Sequence, residues 1–261
     1  MQGMKRVGLS MLVCLLPLLI TGCGKTTPER TEGPRAAAPV KPTPIDPSIV
    51  GTIAGQVSFA GRKPKVHVIR MDADPACTKG NSAPVYAEDG KMNANGTLPN
   101  VFVYVKSGAE KYVFAPPTQP AVLDQAGCMY QPHVLGLMAG QPLQVVNSDN
   151  TIHNVHIRPE KNREWNLSQL AGTPPIIREF SQPEIMIPVE CNQHPWMKAY
   201  LGVTANPFFA VTGSEGTYAI KGLPPGRYTV AAWTATFGTQ EKEISIAPSE
   251  EAMLDFTFNS N

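Results

Sequence analysis

Four side chains in the second half of the chain have the types and spacing of a metal site. Three stand in one short stretch, Cys191-x-x-His194-x-x-Met197, and the fourth, His153, precedes them. A thiolate and a thioether are soft ligands that suit Cu(I), and imidazole also suits copper. One cysteine and two histidines with a weakly bound methionine therefore predict a site for a single copper ion.

Strand-like runs stand on both sides of this ligand loop and would hold it rigid. Residues 185–189 lead into the loop and residues 199–203 lead away from it, while His153 lies in a third such run, 152–157. A loop clamped at both ends keeps its ligands in place when a bound ion changes oxidation state. The spacing thus favours electron transfer over a site that must open.

The loop Cys191-Asn192-Gln193-His194-Pro195-Trp196-Met197 resembles the ligand loop of the cupredoxin family and is similar to the short loop of the amicyanins. The earlier stretch His153-Asn154-Val155-His156 resembles the segment in which that family's first histidine is the ligand. The resemblance covers roughly residues 98–206. It implies one type 1 (blue) copper ion held by four ligands, His153, Cys191, His194 and Met197.

The same resemblance assigns roles to the neighbours of these ligands. Asn154 matches an asparagine that holds the ligand loop through hydrogen bonds near the thiolate. In the family, the imidazole edge that corresponds to His194 is exposed in an apolar patch where redox partners dock. Pro195 and Trp196 are therefore the candidates for partner docking, and His156 is interpreted as peripheral to the metal.

The composition predicts an all-β chain. It contains 26 Pro and 22 Gly, and no long stretch keeps the apolar period of a helix. Many short runs of apolar and β-branched residues separated by turn residues indicate sandwiches or barrels. For the central residues the cupredoxin resemblance implies a Greek-key β-sandwich.

A second, smaller unit is expected at the C-terminus. Residues 212–220 and 222–230 resemble the carboxypeptidase regulatory-like, transthyretin-like β-sandwich family. The opening run 51–61 also resembles the first strand of such modules. The sequence therefore predicts N-terminal strands in 49–97, a cupredoxin-like domain in 98–206 and a transthyretin-like domain in 207–261. The first strand either completes the C-terminal sandwich or belongs to the central domain.

The N-terminus has the features of a lipoprotein signal. Lys5 and Arg6 precede an apolar run, 7–20, that is too short to span a bilayer comfortably. The run ends in Ile20-Thr21-Gly22-Cys23, which resembles a bacterial lipobox and predicts a signal peptide over 1–22. An ordinary signal peptide or an uncleaved anchor are the alternatives.

A lipidated Cys23 would fix the mature chain to a membrane surface. Gly24 follows it, and under the sorting pattern of such lipoproteins this implies the outer membrane, facing the periplasm, in a cell with two membranes. Residues 23–48 are rich in proline and are predicted to form an extended, flexible tether.

Five cysteines can be assigned on this basis. Cys14 lies in the signal peptide, Cys23 takes lipid, and Cys191 must stay a thiolate to bind copper. Cys77 and Cys128 remain, and an oxidising envelope compartment favours a disulfide between them.

Several function classes are disfavoured. The near balance of 22 Lys and Arg against 21 Asp and Glu argues against a nucleic-acid binder, which needs a basic face. Glu190 and Asn192 flank Cys191, whereas a multicopper oxidase needs histidines there. No hydrolase, P-loop or zinc-protease motif occurs, so enzymatic activity is not expected.

The sequence thus predicts a membrane-anchored, periplasmic blue copper protein. It would carry single electrons to or from a redox partner, a cytochrome or an oxidoreductase. Two alternatives use the same fold. The first is a copper carrier or sensor without a redox circuit, and the second is a metal-free scaffold or adhesion protein of the cell envelope.

Overall fold

The computed structural model describes residues 41–259, and they form the all-β structure that the sequence predicted. The predicted signal peptide, the lipidation at Cys23 and most of the tether lie outside these residues. The elements are β1 (Gly51–Ala60), α1 (Pro75–Gly80), β2 (Phe102–Ser107), β3 (Ala121–Ala126), β4 (Met129–Gln131), β5 (Val134–Met138), β6 (Pro142–Asn147), β7 (His153–Ile157), β8 (Trp165–Gln169), β9 (Ile176–Glu179), β10 (Glu184–Glu190), β11 (Lys198–Thr204), β12 (Phe209–Val211), β13 (Thr217–Leu223), β14 (Gly226–Thr234), β15 (Gly238–Ile246), β16 (Glu251–Met253) and β17 (Phe256–Asn259). Within this part of the chain, no helix has the length and apolar character needed to cross a bilayer.

Strands from both ends of the described chain form one sandwich, here called the terminal sandwich. One of its sheets has the order β13-β1-β16, with β17 also paired to β1, and the other has the order β12-β2-β14-β15. β1 runs antiparallel to β13 and parallel to β16 and β17. Its alternate residues, among them Ile53 and Val57, are fully buried with Val230 and Phe256 in one core. The first strand therefore completes the C-terminal sandwich.

β2 also belongs to the terminal sandwich, although the predicted central domain, 98–206, included it. It pairs with β12 and β14. Val103 and Val105 are buried in the core of the terminal sandwich, while Phe102 lies in a separate cluster with Val134 and Met186. Both faces of β2 are thus covered, which explains its apolar residues at successive positions. Such a run has no alternation that would reveal its sheet.

The other strands form the central sandwich. Its two sheets have the orders β5-β11-β10-β7-β8 and β4-β3-β6-β9. Between them lies a separate core of fully buried side chains, which includes Leu123, Tyr130, Leu137, Leu143, Val155 and Leu201. β10 pairs with both β7 and β11, so the strands that carry or flank the predicted ligands lie side by side in one sheet. This sheet packs on the core.

Two glycines let the sandwiches approach each other closely. A Cβ on Gly202 would lie 2.4 Å from the ring of Phe102, and one on Gly136 would lie 2.4 Å from the ring of Phe209. Tyr200 and Trp233 also meet across this boundary, with ring centroids 4.9 Å apart. The two sandwiches are therefore packed against each other through aromatic side chains.

A disulfide fixes the short helix α1 to the central sandwich. Cys77, in α1, is bonded to Cys128, between β3 and β4, as the sequence predicted. Both cysteines are buried in the core of the central sandwich. Asp74 caps the N-terminus of α1, since its side chain accepts a hydrogen bond from the Ala76 N–H. The segment around α1 is consequently fixed beside the predicted ligands.

Candidate metal centre

The four predicted ligands lie at one end of the central sandwich. His153 begins β7, and the other three stand in the loop between β10 and β11. The relative exposure is 0% for His153, 2% for Cys191, 4% for His194 and 0% for Met197. All four side chains are thus withdrawn from solvent.

Three of the ligand atoms converge. Nδ1 of His153 lies 2.9 Å from Nδ1 of His194, and the latter atom lies 3.7 Å from Sγ of Cys191. A first-row ion with ligands at about 2.0–2.3 Å can span such separations. The donor types and their convergence therefore fit a single transition-metal ion, and copper suits them.

The backbone of Met197 is hydrogen-bonded to two other residues of the ligand loop. Its N–H donates to the carbonyl of His194 at 2.8 Å, and its carbonyl accepts from the N–H of Cys191 at 3.3 Å. These bonds return the chain to the start of the loop, where Met197 packs in the same core as Cys191.

Asn154 ties the loop to β7. Its Oδ1 accepts from the N–H of Asn192 at 2.5 Å, and the Sγ–H of Cys191 donates to the same oxygen at 3.4 Å. Its own N–H donates to Sγ at 3.5 Å. Tyr130 adds a bond that connects neighbouring strands, because its hydroxyl donates to the Asn154 carbonyl at 2.6 Å. Asn154 thus contacts both the loop backbone and the Cys191 sulfur.

The thiol and the imidazole favour charged forms in this arrangement. Burial raises the pKa of Cys191, but hydrogen bonds from His153 and from the Asn154 backbone outweigh it and lower that pKa to about 6. Burial lowers the pKa of His153, but the hydrogen bond to Asp149 and the contact with Cys191 raise it to about 9. The thiolate, which is the form that binds metals, is therefore available at neutral pH.

Each histidine meets a carboxylate on its far side. Oδ2 of Asp149 lies 2.9 Å from Nε2 of His153, and Oδ2 of Asp74 lies 2.9 Å from Nε2 of His194. Neither carboxylate was predicted from the sequence to contact the ligands. Asp149 is close to its histidine in the sequence and could have been found by that spacing. No sequence signal connects Asp74 to His194, from which 120 positions separate it.

The edge of His194 is covered, whereas the resemblance implied an exposed edge. Asp74 caps its Nε2, and Sγ of Cys77 lies 3.7 Å from the same atom. Pro195 is exposed, but Trp196 is half-buried and its indole N–H donates to the Cys128 carbonyl at 3.1 Å. The α1 segment and its disulfide therefore occupy the side on which partner docking was expected.

His156 lies outside the ligand cluster. Its ring contacts Asn192 Oδ1 at 3.3 Å and Glu164 Oε1 at 2.7 Å. These partners agree with the peripheral role expected for His156.

Known proteins resemble this chain in parts. The solved structures include the copper-containing nitrite reductase NirK from Thermus scotoductus SA-01, with 19% identity and a TM-score of 0.31 over 34% of this chain and only 23% of that chain. A purple cupredoxin from Nitrosopumilus maritimus matches with 20% identity and a TM-score of 0.28 over 32% of this chain and 99% of its own. An amicyanin from Paracoccus versutus matches with 20% identity and a TM-score of 0.28 over 39% of this chain and 96% of its own.

No curated protein sequence matches the chain. Residues 200–259 match the family model described as the carboxypeptidase regulatory-like domain. The resemblance expected for the C-terminal residues, 207–261, is thereby confirmed: this part of the chain resembles the carboxypeptidase regulatory-like family.

Proposed function

We propose that this chain is a copper-binding protein that carries single electrons between redox partners. The observation behind the proposal is the convergence of Cys191 Sγ with the Nδ1 atoms of His153 and His194 in a buried place. One thiolate and two imidazoles beside a buried methionine form the ligand set of blue copper sites. When bound, the ion supplies a one-electron couple between Cu(II) and Cu(I).

The residues around the ligands support this role. Asn154 and the backbone bonds of Met197 hold the loop, so that little rearrangement accompanies a change of oxidation state. The N–H of Asn154 donates to Sγ and stabilises negative charge on the sulfur. Burial keeps bulk water from the ligand atoms and favours retention of the ion.

An absorption spectrum of the full chain with Cu(II) tests the proposal. We expect an intense visible band from thiolate-to-copper charge transfer, which Cys191→Ser abolishes. His156→Ala is the matched control, because it removes an imidazole beside the loop that is not a ligand, and it should keep the band. A wild-type chain without the band, or a Cys191→Ser variant that retains it, contradicts the proposal.

Competition with a chelator separates the alternatives. An electron carrier should release copper slowly from its buried site, and a copper carrier or sensor without a redox circuit should exchange it quickly. A metal-free scaffold or adhesion protein should bind copper only weakly. The 0–4% exposure of the four ligands favours slow release.

The proposal assigns the protein to the cell envelope, anchored through lipid on Cys23 to the periplasmic face of the outer membrane. The disulfide between Cys77 and Cys128 supports an oxidising compartment. In this role the chain exchanges single electrons with a redox partner, a cytochrome or an oxidoreductase, and catalyses no reaction itself. The wild type should incorporate a labelled fatty acid that Cys23→Ser does not, and equal labelling of the two contradicts the anchor.

A further inference from the structure

Asp74 makes two different hydrogen bonds with its two carboxylate oxygens. Oδ1 accepts from the Ala76 N–H at 2.7 Å and so caps α1. Oδ2 accepts from Nε2 of His194 at 2.9 Å. The side chain of Asp74 is 22% exposed and that of His194 is 5% exposed, so the second bond is largely shielded from water.

The position of this carboxylate is fixed from several sides. The disulfide from Cys77 joins α1 to Cys128. The Asn81 side-chain amide donates to the Cys77 carbonyl at 2.9 Å and to the Gly127 carbonyl at 3.0 Å. The Thr151 hydroxyl also donates to Oδ2 of Asp74, at 3.3 Å. Asp74 therefore meets His194 as part of a rigid segment.

We propose that Asp74 is a positioning residue that fixes the tautomer and orientation of His194. A carboxylate can only accept, so Nε2 must carry a proton, and in the neutral ring Nδ1 then keeps its lone pair. That lone pair faces the Cys191 sulfur, where the ion of the proposed function would bind. The inference rests on the proposed function for the metal, but the state of the His194 ring can be measured without metal.

The contact to His153 agrees with this tautomer. The two Nδ1 atoms lie 2.9 Å apart, so one must donate and the other must accept. With the proton of His194 held on Nε2 by Asp74, its Nδ1 is the acceptor and Nδ1 of His153 is the donor. Nε2 of His153 in turn faces the Asp149 carboxylate, which also only accepts. Both rings are thus oriented by carboxylates from outside the ligand loop.

Asp74→Asn separates positioning from capping. Asparagine caps helices as well as aspartate does, so α1 should keep its N-terminus. Because the Ala76 N–H needs an acceptor, the side-chain oxygen of the new asparagine should face it. The NH2 group of the same side chain then faces His194. The ring must then accept at Nε2 and carry its proton on Nδ1, the atom that the metal needs.

Two further variants serve as controls. Asp72→Asn removes a carboxylate on the same segment, but Asp72 is exposed and its side chain pairs with Arg70. Asp74→Ser keeps a capping side chain that is too short to reach His194. Comparing Asp74→Asn with Asp74→Ser therefore distinguishes an inverted tautomer of His194 from the loss of the hydrogen bond to its Nε2.

Nitrogen NMR of the histidine rings in the metal-free full chain gives the first readout. We expect the His194 proton on Nε2 in the wild type and in Asp72→Asn, on Nδ1 in Asp74→Asn, and a mixture in Asp74→Ser. The second readout is Co(II) and Cu(II) affinity by chelator competition. We expect about 10–100-fold weaker binding in both Asp74 variants, as for other residues that orient metal ligands.

The results separate this inference from the proposed function. If Asp74→Asn keeps the proton on Nε2 and binds metal like the wild type, Asp74 only caps α1 and the inference is wrong. If the wild type lacks the visible copper band but Asp74→Asn still moves the proton, the proposed function fails and the control of the ring stands. Affinity that falls equally in Asp72→Asn also overturns the inference, because a general charge effect would then explain it.

Discussion

Asn154 contacts the ligand loop through both its backbone and its side chain. Its Oδ1 receives the Asn192 N–H and the Cys191 thiol, and its Nδ2 donates to Asn166 Oδ1 at 2.5 Å. Both polar atoms of the Asn154 side chain are thus bonded, and the residue is only 4% exposed. The loop therefore depends on one side chain for much of its fixation.

Asn154→Ala should destabilise the metal-free chain by about 1 kcal/mol, because the partly buried Asn192 N–H of the loop loses its acceptor. The visible copper band should also weaken, since the thiolate loses an ordered neighbour. Urea unfolding and the copper spectrum measure the two effects. Asn166→Ala is the control, because it removes the exposed partner of Asn154 and leaves the loop bonds intact. Equal behaviour of the two variants would contradict this role.

The sequence indicated candidate ligands more clearly than the residues that contact them. Cys191, His194 and Met197 share one loop, and their spacing together with an earlier histidine indicated a site. The resemblance selected His153 over His156 as that histidine and added Asn154. Asp74 could not be predicted, because only the folding of α1 onto the central sandwich brings it to His194. The same fold covers the His194 edge that the resemblance implied to be exposed.

At the scale of elements, a buried carboxylate holds the connection between β7 and β8. Glu184, at the start of β10, accepts from the Glu160 N–H at 2.5 Å and from the Lys161 N–H at 3.0 Å. The Asn162 side chain donates to it at 3.0 Å. Burial raises the pKa of Glu184, but these hydrogen bonds outweigh it and leave the pKa below its ordinary value of 4.5.

This depressed pKa predicts a pH-dependent stability. The ionised Glu184 stabilises the fold above its unfolded-state pKa, and this contribution is lost as the pH falls through the lower folded-state value. Glu184→Gln should therefore destabilise the chain at pH 7 by about 1–3 kcal/mol. The difference from the wild type should shrink below pH 4.5. Urea unfolding at both pH values tests this, with the exposed Glu179→Gln as control; a difference that is constant with pH would refute it.

The close contact between the sandwiches requires a glycine, Gly202, in β11. A Cβ on Gly202 would lie 2.4 Å from Phe102 Cζ, far inside contact distance. Gly202→Ala should therefore destabilise the chain by about 1–3 kcal/mol through overpacking. Gly213→Ala is the control, because nothing lies within 4 Å of its added Cβ. Thermal unfolding measures both, and the expectation is wrong if the two variants melt alike.

The sequence predicted the strands β1 and β2 but not the strands with which they pair. Alternation in β1 and the continuous apolar run of β2 both predicted strands, and both were found. Their sheet membership depends on pairing with β13 to β17, which lie more than 100 residues later in the chain. Local patterns fix which residues face inward, whereas non-local pairing is decided by the cores that the strands complete.

At the scale of the whole molecule, the terminal sandwich is discontinuous in sequence. The family match covers 200–259, but β1 and β2 precede the central sandwich and occupy the middle of the two terminal sheets. β1 lies between β13 and β16, and β2 lies between β12 and β14. The central sandwich is thus inserted into the terminal one, and the domain boundary at 207 separates strands that share one core.

This arrangement predicts that residues 207–261 do not fold alone. β1 lies between β13 and β16, so without it these two strands lose their shared neighbour. The buried side chains of Val230 and Phe256 also lose the residues of β1 and β2 that pack in the same core. A segment of this size is in any case marginal for an independent core. We expect the isolated fragment 207–261 to show no cooperative transition in urea. Residues 41–261 should show a cooperative transition under the same conditions.

Adding the first strands supplies the control. A fusion of residues 49–61 and 98–108 to 207–261 through flexible linkers restores the β1 and β2 pairings, and it should recover a cooperative transition. The same fusion with Val57→Asp should not, because a charge would then lie in the core, where Val57 is 0% exposed. Cooperative unfolding of 207–261 by itself would contradict the prediction, because these residues would then form a stable core without β1 and β2.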